Sequence, residues 1–596
     1  MPSCISRTDW KYALIPALVM AFLLLYPQIN LWMAAGSGWN GAYAASNYDE
    51  TAYSAYVNSL IEGRPRRNDP FLAVDDTGTE SIYSIQFIPA YVIAVPARIL
   101  GISASNAFLL LSVLVGILAA AAVFFLLRLV CGDALFAAAG TVVILCLGAL
   151  LAGEGEIRRM LGFGVTVDFF PFARRYQPAL GFPVFFVFCG LVISALRAAA
   201  FKKRLLISVF AGGAFAVLVF TYLYLWTTAL CWAGLFLAAA ALFSKEKRRR
   251  ALETGAVVAV FAAFALVPYG VLIVSRSDHA DTVNLMTSTH APILSSVPLV
   301  LGVLSTIAAF VIRARAAAAG DEKWLFVISL GLTPVLLLEQ QVITGKTLQP
   351  IHFDVFIANY LVGIAIWLLI DIVRKGDTAS AGFKKATTYC AIAAALWGMA
   401  ESVSATRINA IPTEIRDLSV PAIREAAKGG ERVNVILATN SITADAIPTF
   451  STARPLWAPH LPSAGHVEPA ENKRLYYTYL YYSGFSADEL KKELRANTFD
   501  VVAPVFGPDR ALPALSGGHP LTAAEIRAAT VEFAAFCAAF GEKQASEPIV
   551  DSVILPAQDE PVLSNLQRWY EYDGGTTTGE FRVYRLKPKF QPQAAK

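Results

Sequence analysis

Apolar residues run along the first two thirds of the chain in blocks of about 20, the length at which a helix spans the hydrocarbon of a bilayer. The blocks are 12–33, 106–130, 134–152, 179–200, 205–222, 225–243, 254–274, 296–312, 324–343, 353–372 and 386–403, which predicts about eleven crossings. A twelfth apolar stretch, 82–100, contains Pro89, Pro96, Gln86 and Arg98. Prolines interrupt a spanning helix, so this stretch is expected to lie along the interface or to re-enter without crossing.

Basic residues orient the blocks, because Lys and Arg are retained on the cytoplasmic side. Lys202, Lys203 and Arg204, and the basic clusters within 245–250, 313–323 and 374–385, follow alternate blocks. With those clusters inside, the segments 153–178, 222–226, 275–295 and 344–352 face outward, as does everything beyond 403. A cytoplasmic N-terminus places the first loop, 34–81, outside as well, and this topology closes only if 82–100 does not cross. No small-residue cleavage site follows the first block, which is therefore expected to stay as an anchor.

Past residue 403 the apolar runs shorten to the length of strands and charge rises. Segments 433–438 and 500–505 read as buried strands, 421–428, 487–495 and 522–540 as helices, and 581–586 as an alternating edge strand. The expected fold class is a polytopic α-helical membrane protein of about eleven helices with a C-terminal soluble α/β domain. The expected division is 1–403, containing outer loop 34–81 and interfacial segment 82–100, and 404–596 on the outer face.

Composition agrees with that picture. Hydrophobic residues make up 56% of the chain and charged residues 16%, with a mean hydropathy of +0.53. A soluble protein of this make-up would be coated in exposed apolar surface. The net charge of +4 is small, and its cations sit in short loops, so membrane lipid is an expected partner and nucleic acid is not. The seven cysteines show no CxxC spacing and read as small buried hydrophobes.

Three outward segments collect the chemistry. Tyr48-Asp49-Glu50 places two carboxylates just after the first block, where charge is costly unless it has a use. The plain alternative is that the two acids decorate the first turn of an interfacial helix starting near Ser46. Ala52, Tyr53, Tyr56, Val57, Leu60 and Ile61 then recur at helical spacing, a stripe able to lie on the membrane. In the second segment, 168–178, Asp168 precedes an aromatic, Pro-bounded loop carrying Arg174, Arg175 and Gln177, whose guanidinium forks match either a substrate phosphate or lipid headgroups. In the third, Lys346 precedes His352 and Asp354 at the opening of a membrane block.

An acidic pair in the first outer loop, an interfacial segment after it, about eleven spans, a Tyr-Leu-Tyr-Leu-Trp hairpin at 222–226 and an outward C-terminal α/β domain resemble the GT-C superfamily of membrane glycosyltransferases. In sequence the resemblance is carried by Tyr48-Asp49-Glu50, by Arg174-Arg175-Tyr176-Gln177-Pro178 and by the segment around His352. It implies an inverting hexosyl- or pentosyltransferase that moves a sugar from a polyprenyl-phosphate donor to a glycan, lipid or protein acceptor. Transfer would take place at the outer, periplasmic face of a bacterial inner membrane. On that expectation Asp49 is the general base, Glu50 orients the acceptor and His352 lies near the reacting groups. Arg174, Arg175 and Lys346 hold the donor phosphate, and Tyr48, Gln177 and Asp354 contact substrate. No cofactor is certain, and Asp49 and Glu50 leave room for a divalent cation, Mg or Mn. A flippase for lipid-linked saccharide, or a non-catalytic subunit of polysaccharide assembly, would also need many spans and a polar cavity. Against transport, the chain shows no inverted repeat and no matched pair of broken helices.

Overall fold

The computed structural model describes residues 7–165, 167, 170–315, 321–374, 380–429, 433–513, 519–558 and 563–590. Each predicted block holds a helix: Arg7–Ala35, Ala104–Cys131, Ala134–Cys146, Gly181–Arg197, Phe201–Val219, Leu223–Phe243, Arg248–Val274, Val297–Arg315, Asp321–Leu338, Asn359–Val373 and Ala381–Ile408. Among the described residues, six helices are long and apolar enough to cross a bilayer: Asp9–Gly38, Ala104–Cys131, Leu223–Phe243, Arg248–Val274, Val297–Ala314 and Ile351–Val373. The chain is an integral membrane protein.

Local sequence sets the helix ends. Ser103 caps Ala104–Cys131 by accepting from the Asn106 amide, and Gly132, at φ 79°, ends that helix in the left-handed conformation that glycine adopts without penalty. Asp133 then caps the next helix by accepting from the Phe136 amide. Small residues bring helices close: a Cβ on Gly116 would lie 2.9 Å from backbone atoms of Met20 and Ala21, so Ala104–Cys131 packs tightly on the first helix. At the end predicted to be cytoplasmic, Asp9 pairs with Arg128 at 2.6 Å, Glu322 joins Arg197 and Lys247, and Asp371 joins Lys323 and Arg374.

The stretch 82–100 forms a short turn of helix, Ile82–Ile85, and a 13-residue helix, Ile88–Leu100. The latter, like Ala134–Cys146 and Gly181–Arg197, is shorter than the roughly 20 residues of a full crossing, and it carries Pro89 and Pro96. The helix after the acidic pair, Glu50–Ile61, does not lie on a membrane surface as its apolar stripe suggested. It is buried from Glu50 to Leu60, packed against Ile88–Leu100 on one side and the C-terminal helix Ser441–Phe450 on the other. Ser54 and Thr449 share a hydrogen bond of 2.8 Å, and the Asn58 amide donates to the Pro448 carbonyl at 3.0 Å.

Beyond the helix Ala410–Ala426, a six-stranded mixed sheet runs in the order Arg454–Pro455, Val435–Ala438, Ser552–Pro556, Phe581–Pro588, Tyr570–Tyr572, with Thr576–Thr578 also on Phe581–Pro588. Val435–Ala438 is parallel to both its neighbours, with Leu437 opposite Val553. Two expectations are corrected. Residues 500–505 form the helix Phe499–Phe506, not a strand; a short apolar run has no period that separates a buried strand from a buried helical turn. Phe581–Pro588 is not an edge strand, since it pairs with three others. Its alternation reflects one face covered by Ala410–Ala426.

Candidate active site

The first outer loop is pinned before it reaches the acids. Asp417 accepts from the amides of Asn40 and Ala42, and Gln28 accepts from the amide of Ala44 at 2.7 Å. Asn47 then accepts from the Asp49 amide at 3.1 Å, a local turn that sends Asp49 and Glu50 into different surroundings.

Glu50 points into the protein and is fully buried. Its carboxylate accepts from the Ser46 hydroxyl (2.8 Å), the Ser46 amide (3.2 Å), the Arg175 amide (3.0 Å) and Arg175 Nη2 (2.8 Å). Arg175 also donates to Ser112 Oγ at 2.5 Å, the Phe108 carbonyl at 3.2 Å and the Ala44 carbonyl at 2.7 Å. This pair therefore ties the loop 170–178 to the first outer loop. Both members are buried and bonded within the protein here, which makes the pair a brace, where the resemblance implied that Glu50 orients the acceptor and Arg175 holds phosphate.

Asp49 behaves differently. Its side chain is 45% exposed, while that of its partner Arg174 is 6% exposed, and Arg174 Nη1 reaches Asp49 Oδ2 at 2.6 Å. Arg174 also donates through Nε to the Gln177 carbonyl (2.8 Å) and through Nη2 to the Tyr222 hydroxyl (3.1 Å). Its guanidinium lies 4.4 Å from the centroid of the Phe356 ring, a favourable stack for a delocalised cation. Tyr222 in turn meets His352 Nδ1 at 3.1 Å. With Arg174 donating to the phenol oxygen, the Tyr222 proton is free for Nδ1, which leaves Nε2–H of a neutral His352 as a donor. Asp49, Arg174, Tyr222 and His352 thus form one continuous chain of hydrogen bonds.

The His352 end of the chain sits on an irregular stretch. Ile351–Phe353 passes into a widened π-type turn at Asp354–Ala358 before the regular helix Asn359–Val373 begins. Such turns are frequent where a helix serves a site, and Phe356, under Arg174, belongs to this one. Asp354 does not join the chain. It accepts from Ser296 Oγ at 2.5 Å and so links its helix to Val297–Arg315. Gln177 is buried and donates to the Thr221 carbonyl at 3.0 Å, a brace for the loop rather than a substrate contact. Lys346 is exposed on the two-stranded ribbon Met286–Ser288 with Lys346–Leu348. Asp168 and Phe169 lie outside the described residues.

An apolar cavity of about 290 Å³ is lined by Ile82, Ile85, Leu223, Tyr269, Ile273 and Leu348, among others; Leu223 follows Tyr222 in sequence, but none of Asp49, Arg174, Tyr222 and His352 lines the cavity. Leu348 and Met286, which also lines it, are paired across the ribbon that carries Lys346. A second cavity, about 310 Å³, lies against the first helix near Asn30, Ser46, Thr413 and Asp417. Among the described residues no group of three or more His, Cys, Asp or Glu side chains could hold a metal ion. Glu50 is enclosed by Arg175, and Asp49 is paired through Oδ2 with Arg174 while its side chain stays 45% exposed.

Sequence reasoning missed Tyr222 as a link and overlooked Asp445, His460 and Asp500. Tyr48 is exposed, and its hydroxyl donates to Asp500 at 3.1 Å while its ring lies 4.2 Å from that of His460. His460 Nδ1 meets Asp445 at 2.5 Å. Burial pushes the Asp500 carboxyl up, as does Asp445, against the Tyr48 hydrogen bond and His460. The aromatic run 475–482 belongs to the helix Pro469–Tyr482, and its tyrosines are buried against Trp457, Phe533, Phe536 and Phe540.

No family model matches the chain, and no curated protein does. Among solved structures, it is similar to ArnT from Cupriavidus metallidurans bound to undecaprenyl phosphate, at 14% identity and a TM-score of 0.44, over 78% of this chain and 89% of that one. It is also similar to the Archaeoglobus fulgidus oligosaccharyltransferase, at 11% identity and a TM-score of 0.47 in the complex with Zn and sulfate, over 84% of this chain and 70% of that one. The apo form of the same protein gives 12% identity and 0.45, over 95% and 73%.

Proposed function

We propose that this protein is a GT-C-type membrane glycosyltransferase that moves a sugar from a polyprenyl-phosphate donor to an acceptor at the outer face of the membrane. The observation that carries the reading is the chain Asp49–Arg174–Tyr222–His352, in which a half-exposed carboxylate is tethered to a buried guanidinium; Leu223, next in sequence to Tyr222, is in the wall of the apolar cavity. A donor with a long hydrocarbon tail cannot leave the bilayer cheaply, so its reacting end has to be met at the headgroup plane. The cavity suits the first isoprene units. Lys346, on the ribbon bordering that cavity, and Arg174 supply positive charge for the departing lipid phosphate. Asp49 takes the proton from the acceptor hydroxyl, and His352, held by Tyr222, donates to the donor. Glu50 and Arg175 keep the loop in place.

The proposal carries a topology with it: eleven crossings, segment 82–100 held at the outer interface, a cytoplasmic N-terminus and residues 404–596 outside as an α/β domain of a bacterial inner-membrane protein. The reaction inverts the anomeric centre, because a single base and a single displacement are available. The decisive experiment supplies purified protein with a radiolabelled polyprenyl-phosphate sugar and a membrane extract as acceptor. Wild type should form a new glycosidic product and Asp49→Asn should not, with both variants equally folded. Flipping of the lipid in vesicles without any new glycoside would replace this reading with transport.

A further inference from the structure

Three titratable groups outside the Asp49–His352 chain converge on Tyr48, and the transfer reading uses none of them. Helix Ser441–Phe450 supplies Asp445, the loop before Pro469–Tyr482 supplies His460, and helix Phe499–Phe506 supplies Asp500. Asp445 holds His460 twice, accepting from its backbone amide at 3.1 Å and meeting its Nδ1 at 2.5 Å. The imidazole lies against the Tyr48 ring, centroids 4.2 Å apart and planes inclined by 33°. The hydroxyl of Tyr48 is held by Asp500. Tyr48 is thus gripped on its face and at its tip, both by residues from the far half of the chain. A planar peptide with few soft dihedrals joins it to Asp49, so whatever fixes Tyr48 also limits where Asp49 can point.

Resting on the transfer reading above, we infer that His460 is a positioning residue of the site: held by Asp445 and bearing on Tyr48, it fixes Asp49 between Arg174 and the acceptor. The C-terminal part of the chain then takes part in the reaction without touching the donor. His460 Nε2 is buried and has no partner among the described residues, so the ring is held by its Nδ1 edge and its face alone. A side chain that cannot stack would lose the grip.

The charges around it give the grip a pH dependence. Burial opposes a charge on His460, but Asp445, and beyond it Asp49 and Asp500, hold the imidazole above its ordinary range. Tyr48 is the remaining titratable group of the cluster; its ring is open to solvent on one side, yet partial desolvation, then Asp445 and Asp500, hold its phenol above the ordinary range. A charged His460 therefore sits among three carboxylates and offsets them. As pH rises through its raised pKa it becomes neutral, and Asp445 and Asp500 are left facing each other uncompensated. The grip is present on the acid side and is lost on the alkaline side.

The test compares full-length wild type with His460→Gln and Asp500→Asn in detergent. Hydrogen exchange reads positioning without any substrate: His460→Gln should speed exchange at 46–50 by at least about tenfold and leave Gly181–Arg197 unchanged. Turnover of a radiolabelled polyprenyl-phosphate sugar should show kcat lowered by about 10- to 100-fold, the scale of a small misplacement, with the donor KM within about twofold of wild type. The alkaline fall in kcat should flatten in His460→Gln. In Asp500→Asn, which keeps an oxygen for Tyr48 but removes a carboxylate from His460, it should move to lower pH. Unchanged exchange at 46–50, or an alkaline limb identical in all three proteins, overturns the inference. If His460→Gln does not fold, the shift in Asp500→Asn alone decides. Should Asp49→Asn turn over like wild type, the transfer reading falls instead, and the exchange result still judges the grip on Tyr48.

Discussion

Arg174 lies 2.6 Å from Asp49, and the two differ sharply in exposure: the guanidinium is enclosed while the carboxylate keeps 45% of its side-chain surface open. An open acid on a fixed tether is placed to meet a substrate. Asp49→Asn should reduce transfer by about 10²–10⁴-fold, the range for loss of a general base. The thermal unfolding midpoint in detergent should fall less than in Glu50→Gln, because Asp49 keeps 45% of its side chain exposed and water can take its place beside Arg174.

The neighbouring pair should behave in the opposite way. Glu50 and Arg175 are both buried, and removing one partner strands the other charge, at about 3–5 kcal/mol. Glu50→Gln should therefore lower the unfolding midpoint strongly and cut the yield of folded protein. Whatever folds should bind donor normally. A folded, stable Glu50→Gln protein lacking only activity would return Glu50 to a catalytic role.

Arg174→Lys keeps the charge but loses the fork that reaches Asp49, Tyr222 and the Gln177 carbonyl at once. Its kcat should fall by about 10²-fold or more, as for loss of a group that stabilises developing negative charge. Steady-state kinetics with the lipid-linked donor checks this.

Filling the apolar cavity should discriminate by tail length. Ile273 lines it, and Ile273→Trp should raise KM for a full-length polyprenyl donor by about tenfold, equivalent to 1.4 kcal/mol, while a donor with one or two isoprene units is barely affected. Equal effects on both donors would separate the cavity from the donor tail.

Segment 82–100 should not cross. A reporter enzyme fused near Ser103 is expected to read as external. A cytoplasmic signal there would overturn the proposed orientation of every later loop.

The sequence made the membrane helices legible because their signal is long: each apolar block recurs as a helix, and caps such as Ser103, Gly132 and Asp133 are local. It also singled out Asp49 and Arg174, 125 positions apart. It could not say which of two adjacent acids faces outward. Asp49 precedes the helix and Glu50 opens it, so a single peptide separates a side chain in solvent from one fully enclosed. Likewise Arg174 and Arg175 look equivalent on paper, yet one serves the chain to His352 and the other the buried brace. The clasp on Tyr48 was illegible for another reason. Asp445, His460 and Asp500 stand on three separate elements, and no local spacing announces their meeting.

The enclosure of Glu50–Ile61 by Ser441–Phe450 has a consequence for biogenesis. Ser54 and Thr449, which bond to each other, are 395 residues apart, so at roughly 5–20 residues per second the early segment waits about 20–80 s for its cover to be synthesised. Throughout that interval the side that Ser441–Phe450 will cover is bare, a window in which a chaperone or the lipid surface has to shelter it. Ribosome stalling after residue 403 should trap a nascent chain unusually sensitive to external protease at 50–61.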